Sequence, residues 1–303
     1  MAQNTEKIDK FQLITDKLIT LIERGVKPWG KPWSATPYGN LITGHHYQGI
    51  NPLICAIDTL LNEWEQPFFI GFAQAQEKNW KINKGSKATY LRWGGTVAIE
   101  STNSETGETN KHYKNAGRWF NVFNVACLDD SDSNEKISDY LKKMLVSSVN
   151  TEPRLEFAEA LIIAQNADVV FGGDVACYVP FIDKIRMPNY EDFKSAIAYY
   201  ATYLHELIHW TSHSTRLDRN NIGQFGSKFY AFEELIAELG AAFLCSSINI
   251  ESQLEHHASY LNSWLSVLRD DNKAFFRAAG QAKKAADWLL ENAGLNVTES
   301  IAA

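Results

Sequence analysis

At 303 residues, with 45% hydrophobic and 21% charged residues, the chain has enough apolar material for two cores and the polar balance of a globular protein. No apolar run approaches a membrane span, and residues 1–25 alternate charged with apolar positions, so neither a membrane partner nor a signal peptide is expected and the chain reads as cytoplasmic. The net charge of −7 is too small for an acidic DNA mimic and is unevenly spread: residues 1–128 carry 14 Lys/Arg against 11 Asp/Glu, the remainder 15 against 25.

In chain order, Ile8, Phe11, Ile14, Leu18, Leu21 and Ile22 recur at helical spacing over residues 5–24 and stop at Gly25. Pro28–Trp33 reads as a rigid loop, the segment Tyr47–Asn51 as the opening of a helix that runs to about Trp64, and residues 68–78 as a short helix. Strands follow near Thr89–Trp93 and Thr96–Glu100, then a polar hairpin tip over 101–117 and a returning strand from Arg118 to Val125. The run Asp129–Glu135 is acidic, has no apolar anchor and marks a linker.

Beyond it, Arg154–Asn166 reads as a helix and Asp168–Phe171 as a short strand, while Val175–Pro180 and Lys184–Met187 read as a strand pair. Residues near Asp183–Met187 are placed to lie along a cleft and pair with an extended peptide, although an ordinary sheet edge fits equally well. Helices are predicted around residues 191–213, 230–248, 252–268 and 271–292. Cys55, Cys127, Cys177 and Cys245 form no Cys-x-x-Cys pair and read as reduced core residues, which argues against a cysteine zinc site. The whole is an α+β chain of two domains: a mixed domain over 1–128, an acidic connecting segment over 129–152, and a mostly helical domain with a small sheet over 153–303.

Within the second domain stands Tyr203-Leu-His205-Glu206-Leu-Ile-His209-Trp210. Residues four apart share a helix face, so His205 and His209 can present imidazoles to one metal ion, with Glu206 placed to take a proton from a water activated there. Apolar flanks (Ala201, Leu204, Leu207, Ile208) bury that helix, and two buried imidazoles need a partner. Downstream, Glu233, Glu234 and Glu238 lie on an alanine- and leucine-rich helix, with Glu234 and Glu238 on one face. One carboxylate can bind the metal while the other accepts a ligand histidine's free N–H. Two histidines and a glutamate leave a position open, as catalytic zinc sites do. Assigning Glu234 as ligand and Glu238 as the histidine's acceptor follows a resemblance to the glutamate-ligand zincins, whose Glu-x-x-x-Asp follows His-Glu-x-x-His; here Glu238 stands for the Asp, and Glu233 is the alternative ligand. The expected ion is Zn2+, with another divalent metal as the alternative. His213 falls short of the third-histidine position of the longer zincin motif, which holds Thr215, and is given a structural or substrate-facing role. Tyr178, Tyr203 and His213 are candidates for steadying an oxyanion.

The front half interleaves cations and rings: Trp80, Lys81, Lys84, Lys87, Arg92 and Trp93, joined by Arg118 and by Trp29, Lys31 and Trp33. Single-stranded nucleic acid is held by such sets, bases on aromatic faces and phosphates on cations, yet the same tryptophans can equally be core. Pro28-Trp-Gly-Lys-Pro-Trp33, Asn40-Leu-Ile-Thr-Gly44, Tyr47-Gln-Gly-Ile-Asn51, Ala73-Gln-Ala75, Lys84-Gly85 and Phe123-Asn-Val125 resemble the N-terminal single-stranded-DNA-binding domain of ArdC-type antirestriction proteins, a domain also similar to one in TraC-type primases. Tyr178-Val-Pro180, Ile185-Arg-Met-Pro188, the His-Glu-x-x-His segment, Ser214–Arg219 and Phe232–Gly240 resemble the zincin-like metallopeptidase domain of the same family. The resemblance covers nearly the whole chain, with residues 101–115 matching poorly. It implies a protein of a mobile genetic element that protects incoming DNA from restriction, with single-stranded DNA and an unnamed protein substrate as partners. Two other readings stay open: a DNA-coating protein whose metal site is structural or vestigial, and a regulatory metalloprotease that needs no DNA.

Overall fold

The computed structural model describes residues 8–29, 37–102, 109–146, 154–219, 227–248, 250 and 258–295. The front unit begins with α1 (Lys10–Glu23), capped by the Asp9 carboxylate, which accepts from the backbone N–H groups of Phe11 and Gln12. It continues through β1 (Gly39–Asn40), α2 (Asn51–Leu61), β2 (Phe68–Gly71), α3 (Phe72–Glu77), β3 (Lys81–Ile82), β4 (Thr89–Thr102), β5 (Thr109–Asn124), β6 (Leu128–Asp129) and α4 (Ile137–Val146). The rear unit holds α5 (Arg154–Ala164), β7 (Val169–Phe171), β8 (Cys177–Val179), β9 (Lys184–Met187), α6 (Ala196–Trp210), α7 (Lys228–Ser247), α8 (Ala258–Asp270) and α9 (Ala274–Asn292). Mixed helix and sheet in two units is the α+β architecture expected.

The front sheet runs β1-β2-β5-β4, and alternation along β2 explains its place in it. Phe69 faces one core with Leu91 and Val122, whereas Phe68 and Ile70 face another with Leu41, Trp80 and Val125. A strand buried on both faces reads as a continuous apolar run, so Phe68-Phe-Ile70 begins a strand where a helix was expected, and only Phe72–Glu77 is helical. The two strands expected near 89–100 are one, paired with β5 from Thr89↔Val122 to Thr102↔Thr109. Most of the expected hairpin tip is therefore strand, and residues 103–108 lie outside the described residues.

The acidic stretch after residue 128 is not a free linker. Leu128 and Asp129 pair with β3, the Ser133 hydroxyl donates to the Lys78 carbonyl (2.6 Å), and the Lys78 ammonium donates to Glu135 (2.9 Å). The indole N–H of Trp80 donates to the Glu135 carbonyl (2.7 Å), and Tyr140 of α4 closes over the ring edge-on at 5.5 Å. Charge hid an anchor here, because the stretch is held by polar side chains and backbone groups rather than by apolar side chains.

In the rear unit the small sheet has the order β7-β9-β8. The predicted pairing of β8 with β9 is observed, but β9 is central, so the strand expected to receive a peptide has both edges filled and β8 is the edge beside α6. One apolar core joins the units: α1, with Ile14, Leu18 and Leu21 buried, packs on α8, and the fully buried Trp29 meets Trp264 and Phe275. Thr15 donates to the Asn272 carbonyl (2.9 Å), and Arg269 pairs with Glu23 (2.5 Å) across the seam. Among the described residues no helix is long and apolar enough to cross a membrane.

Candidate metal centre and a second cleft

Helix α6 starts at Ser195, whose hydroxyl accepts from Ala198 N–H, and lies against α7, which starts at Ser227 in the same way. Gly240 lets the helices approach: a Cβ there would stand 2.7 Å from Ile208 Cδ1 and 2.9 Å from its Cγ2. One turn apart on α6, His205 Nε2 and His209 Nε2 lie 3.2 Å from each other. The two oxygens of Glu234 face them at 3.6 and 3.4 Å. A tetrahedral ion with bonds of about 2.0–2.2 Å places its ligand atoms roughly 3.3–3.5 Å apart, so this trio has the spacing and the donor chemistry of a divalent metal site. Burial alone would raise the Glu234 carboxyl; the facing His209 and His205 outweigh it and hold it well below the usual carboxylate range.

Around the trio lie three buried carboxylates with distinct surroundings. Glu233 faces His209 Nδ1 at 3.5 Å and is clamped by the buried Arg219 guanidinium, 2.7 Å to one oxygen and 3.3 Å to the other. Arg219 also donates to the Ile208 carbonyl and to the Thr211 hydroxyl (2.7 and 2.6 Å), so one side chain ends α6 and orients the acceptor of its last histidine. Burial pushes Glu233 up, but His209 and Arg219 more than reverse it. Glu233 thus has the place expected of Glu238, and not that of a ligand.

Glu238 instead accepts the indole N–H of Trp29 (3.2 Å). Burial raises its carboxyl despite nearby Lys27, and the Nδ1 of His205 is buried without a hydrogen bond. Glu206 accepts the backbone N–H of Tyr178 in the edge strand β8 (2.7 Å), which fixes the carboxylate beside that strand. The Tyr178 hydroxyl donates to Asp183 (2.8 Å), and Asp183 is paired with Arg216 and lies 4.0 Å from His213 Nδ1. His213 thus belongs to a polar cluster behind β8, hydrogen-bonded with Thr215 (2.9 Å). Tyr203 is in the core, edge-on to Phe171 and Tyr199, and is no candidate for contacting a substrate.

The DNA-facing residues expected from sequence divide sharply. Trp29 is 0% exposed and Trp80 2%, so neither offers a face to a base; both expectations are corrected by burial. Lys81 pairs with Asp132 and, with the exposed Lys84 and Lys87, lies apart from the front unit's cleft. Lys31 and Trp33 lie outside the described residues. Arg92 and Trp93, the latter 53% exposed, line a cleft of about 1020 Å³ together with Phe120, and Arg118 is opposite Trp93 in the β4–β5 register. The cleft's other side is Phe276, Ala279, Gly280 and Lys283 of α9, which no local sequence signal pointed to.

Comparison with known proteins agrees with both halves. Residues 9–125 match the model of the N-terminal domain of anti-restriction factor ArdC, and residues 156–281 match that of a zincin-like metallopeptidase. The crystal structure of antirestriction ArdC protein from plasmid R388 superposes with a TM-score of 0.70 at 34% identity, covering 95% of this chain and 98% of that one; its Mn(II)-bound form gives 0.68 at 33%. An uncharacterized protein y4eC of Sinorhizobium fredii is 30% identical over 93% of this chain and 91% of its own length. DNA primase TraC of Escherichia coli is 32% identical over 91% of this chain, which spans only 26% of TraC. The chain therefore belongs to the ArdC family of antirestriction proteins, an ArdC N-terminal domain joined to a zincin-like metallopeptidase domain.

Proposed function

We propose that this chain is an antirestriction protein of a mobile genetic element that works in the cytoplasm, binds single-stranded DNA through its front unit, and carries a metallopeptidase-type centre in its rear unit. The observation supporting the centre is the convergence of His205, His209 and Glu234 beside Glu206. His205, His209 and Glu234 would hold the ion, Zn2+ by preference of the two-imidazole, one-carboxylate set, with Mn2+ as the alternative suggested by the Mn(II)-bound relative. When bound, a divalent ion supplies a Lewis acid and lowers the pKa of a coordinated water, for zinc to about 7.

Glu206 is the proton acceptor, and the Tyr178 N–H keeps one of its oxygens fixed so that the other is free to serve. Edge strand β8 is where an extended peptide would lie, pairing with the Tyr178 carbonyl, since the Tyr178 N–H on that edge is engaged by Glu206. Glu233, steadied by Arg219, fixes the ring of His209. Arg92, Trp93, Phe120 and Arg118 are the strand-binding residues, with bases stacking on the rings.

The test compares wild type with Glu206→Gln for peptide hydrolysis, metal content, and survival of a conjugated plasmid in restricting cells. Glu206→Gln should retain metal and lose hydrolysis by about 10²–10⁴-fold. Protection that persists in Glu206→Gln would move antirestriction to the DNA-binding unit alone. A wild-type chain that neither binds single strands nor protects the plasmid would overturn the reading.

A further inference from the structure

Gly280 and Lys283 of α9 line the same cleft as Arg92, Trp93 and Phe120, although α9 belongs to the metallopeptidase unit. We propose that single-stranded DNA is held in a seam between the two units, with α9 as one wall. This rests on the single-strand reading above and adds the second wall to it.

The cleft suits a polyanion with bases. At about 1020 Å³ it matches or exceeds the roughly 300–1,000 Å³ of small-molecule pockets, which fits a short run of polymer. The chain carries seven more acidic than basic residues, yet among the described residues lining this cleft none is Asp or Glu. Arg92 is held in place rather than mobile. Its guanidinium lies 5.3 Å from the Phe11 ring centroid and fills the space above Gly117, where a Cβ would come within 2.8 Å of three of its atoms. Its Nε is buried without a hydrogen bond. Across the cleft, Lys283 is held at the rim by Asp287 (2.5 and 2.6 Å), a cation in place that can exchange that carboxylate for a phosphate.

The α9 wall is also flat and fixed. Gly280 is exposed in mid-helix and a Cβ there would meet nothing within 4 Å, leaving bare backbone toward the cleft. At the same end, Phe276 packs edge-on with Phe11 (4.7 Å) and Trp119 (6.0 Å), the two rings that back β5 and α1. A strand lying between the walls therefore meets a rigid slot, not a hinge.

The test measures binding of a labelled oligothymidylate by the full chain across a salt series, with thermal melts for folding. Gly280→Phe fills the slot at a site with room for a side chain, and should weaken binding by about tenfold or more, the loss expected for displacing one stacked base. Lys283→Gln should lower the slope of log affinity against log salt by about 0.7, one phosphate contact fewer. Lys284→Gln removes the neighbouring exposed charge outside the cleft and should leave the slope unchanged. Trp93→Ala reports on the front wall. Weakening by Trp93→Ala with wild-type behaviour of both Gly280→Phe and Lys283→Gln would overturn the seam and leave the single-strand reading standing. Wild-type binding by all three would overturn both. Should Gly280→Phe fail to fold, the Lys283→Gln slope decides alone.

Discussion

Trp29 shows how one side chain can be chemically suited to one task and placed for another. A tryptophan with a lysine two residues to either side is a natural platform for a base, but this one is enclosed by Trp264 (5.8 Å) and Phe275 (6.5 Å), and its N–H ends on Glu238. Sequence carries no record of which rings are covered, so core and contact tryptophans looked alike until Glu238, 209 residues away, was seen to accept the indole. Trp29→Phe should cost about 1–3 kcal/mol by leaving a buried acceptor without its donor, and Trp29→Ala about 3–5 kcal/mol with the added cavity. Both should leave single-strand affinity unchanged; a selective loss of DNA binding in a stably folded Trp29→Phe chain would return the ring to the DNA surface. Arg219 acts at the same scale. It was visible only as part of a resemblance, yet it clamps Glu233 behind His209, and Arg219→Lys, which cannot make the fork, should weaken metal affinity by about 10–100-fold in calorimetric titration.

At the level of elements, the α6–α7 pair was the most legible part of the chain. Spacing of four puts His205 with His209, and Glu234 with Glu238, on single helix faces whatever surrounds them. Which carboxylate meets which histidine depends on the rotation of α7 against α6, and that is set where Gly240 packs on Ile208, a residue inside the motif whose partner on α7 the motif does not name. Gly240→Ala gains about 0.5–1 kcal/mol of helix propensity but drives a methyl into Ile208, an overpacking that costs about 1–3 kcal/mol. The clash should win, lowering stability by about 1–2 kcal/mol in denaturant unfolding and weakening metal binding. Combining Gly240→Ala with Ile208→Ala should cost less than the sum of the two single changes; strict additivity would mean the helices are not spaced by this contact. Strand β2 failed in the opposite way: its run Phe68-Phe-Ile70 is buried on both faces, and an apolar run without alternation gives no period to read.

For the whole molecule, the change of composition near residue 128 marks two units in the sequence, but it shows neither how far the first runs nor that one core joins them. Segment 129–146 stays with the front unit, while α1 and Trp29 pack on α8 and α9 of the rear. The His205–His209–Glu234 trio and the cleft thus lie in one packed body, the first backed by Trp29 through Glu238 and the second lined in part by α9. Metal at a hundredfold excess over its Kd should stabilise this body by about 2.7 kcal/mol, raising Tm by several degrees in wild type and not in Glu234→Ala. The most direct measurement is the metal content of the purified chain after dialysis, wild type beside His205→Ala, His209→Ala and Glu234→Ala. One divalent ion per wild-type chain, lost in each variant, is the expected result; variants that keep their ion, or a wild type that takes up none from Zn2+ or Mn2+, would contradict the site.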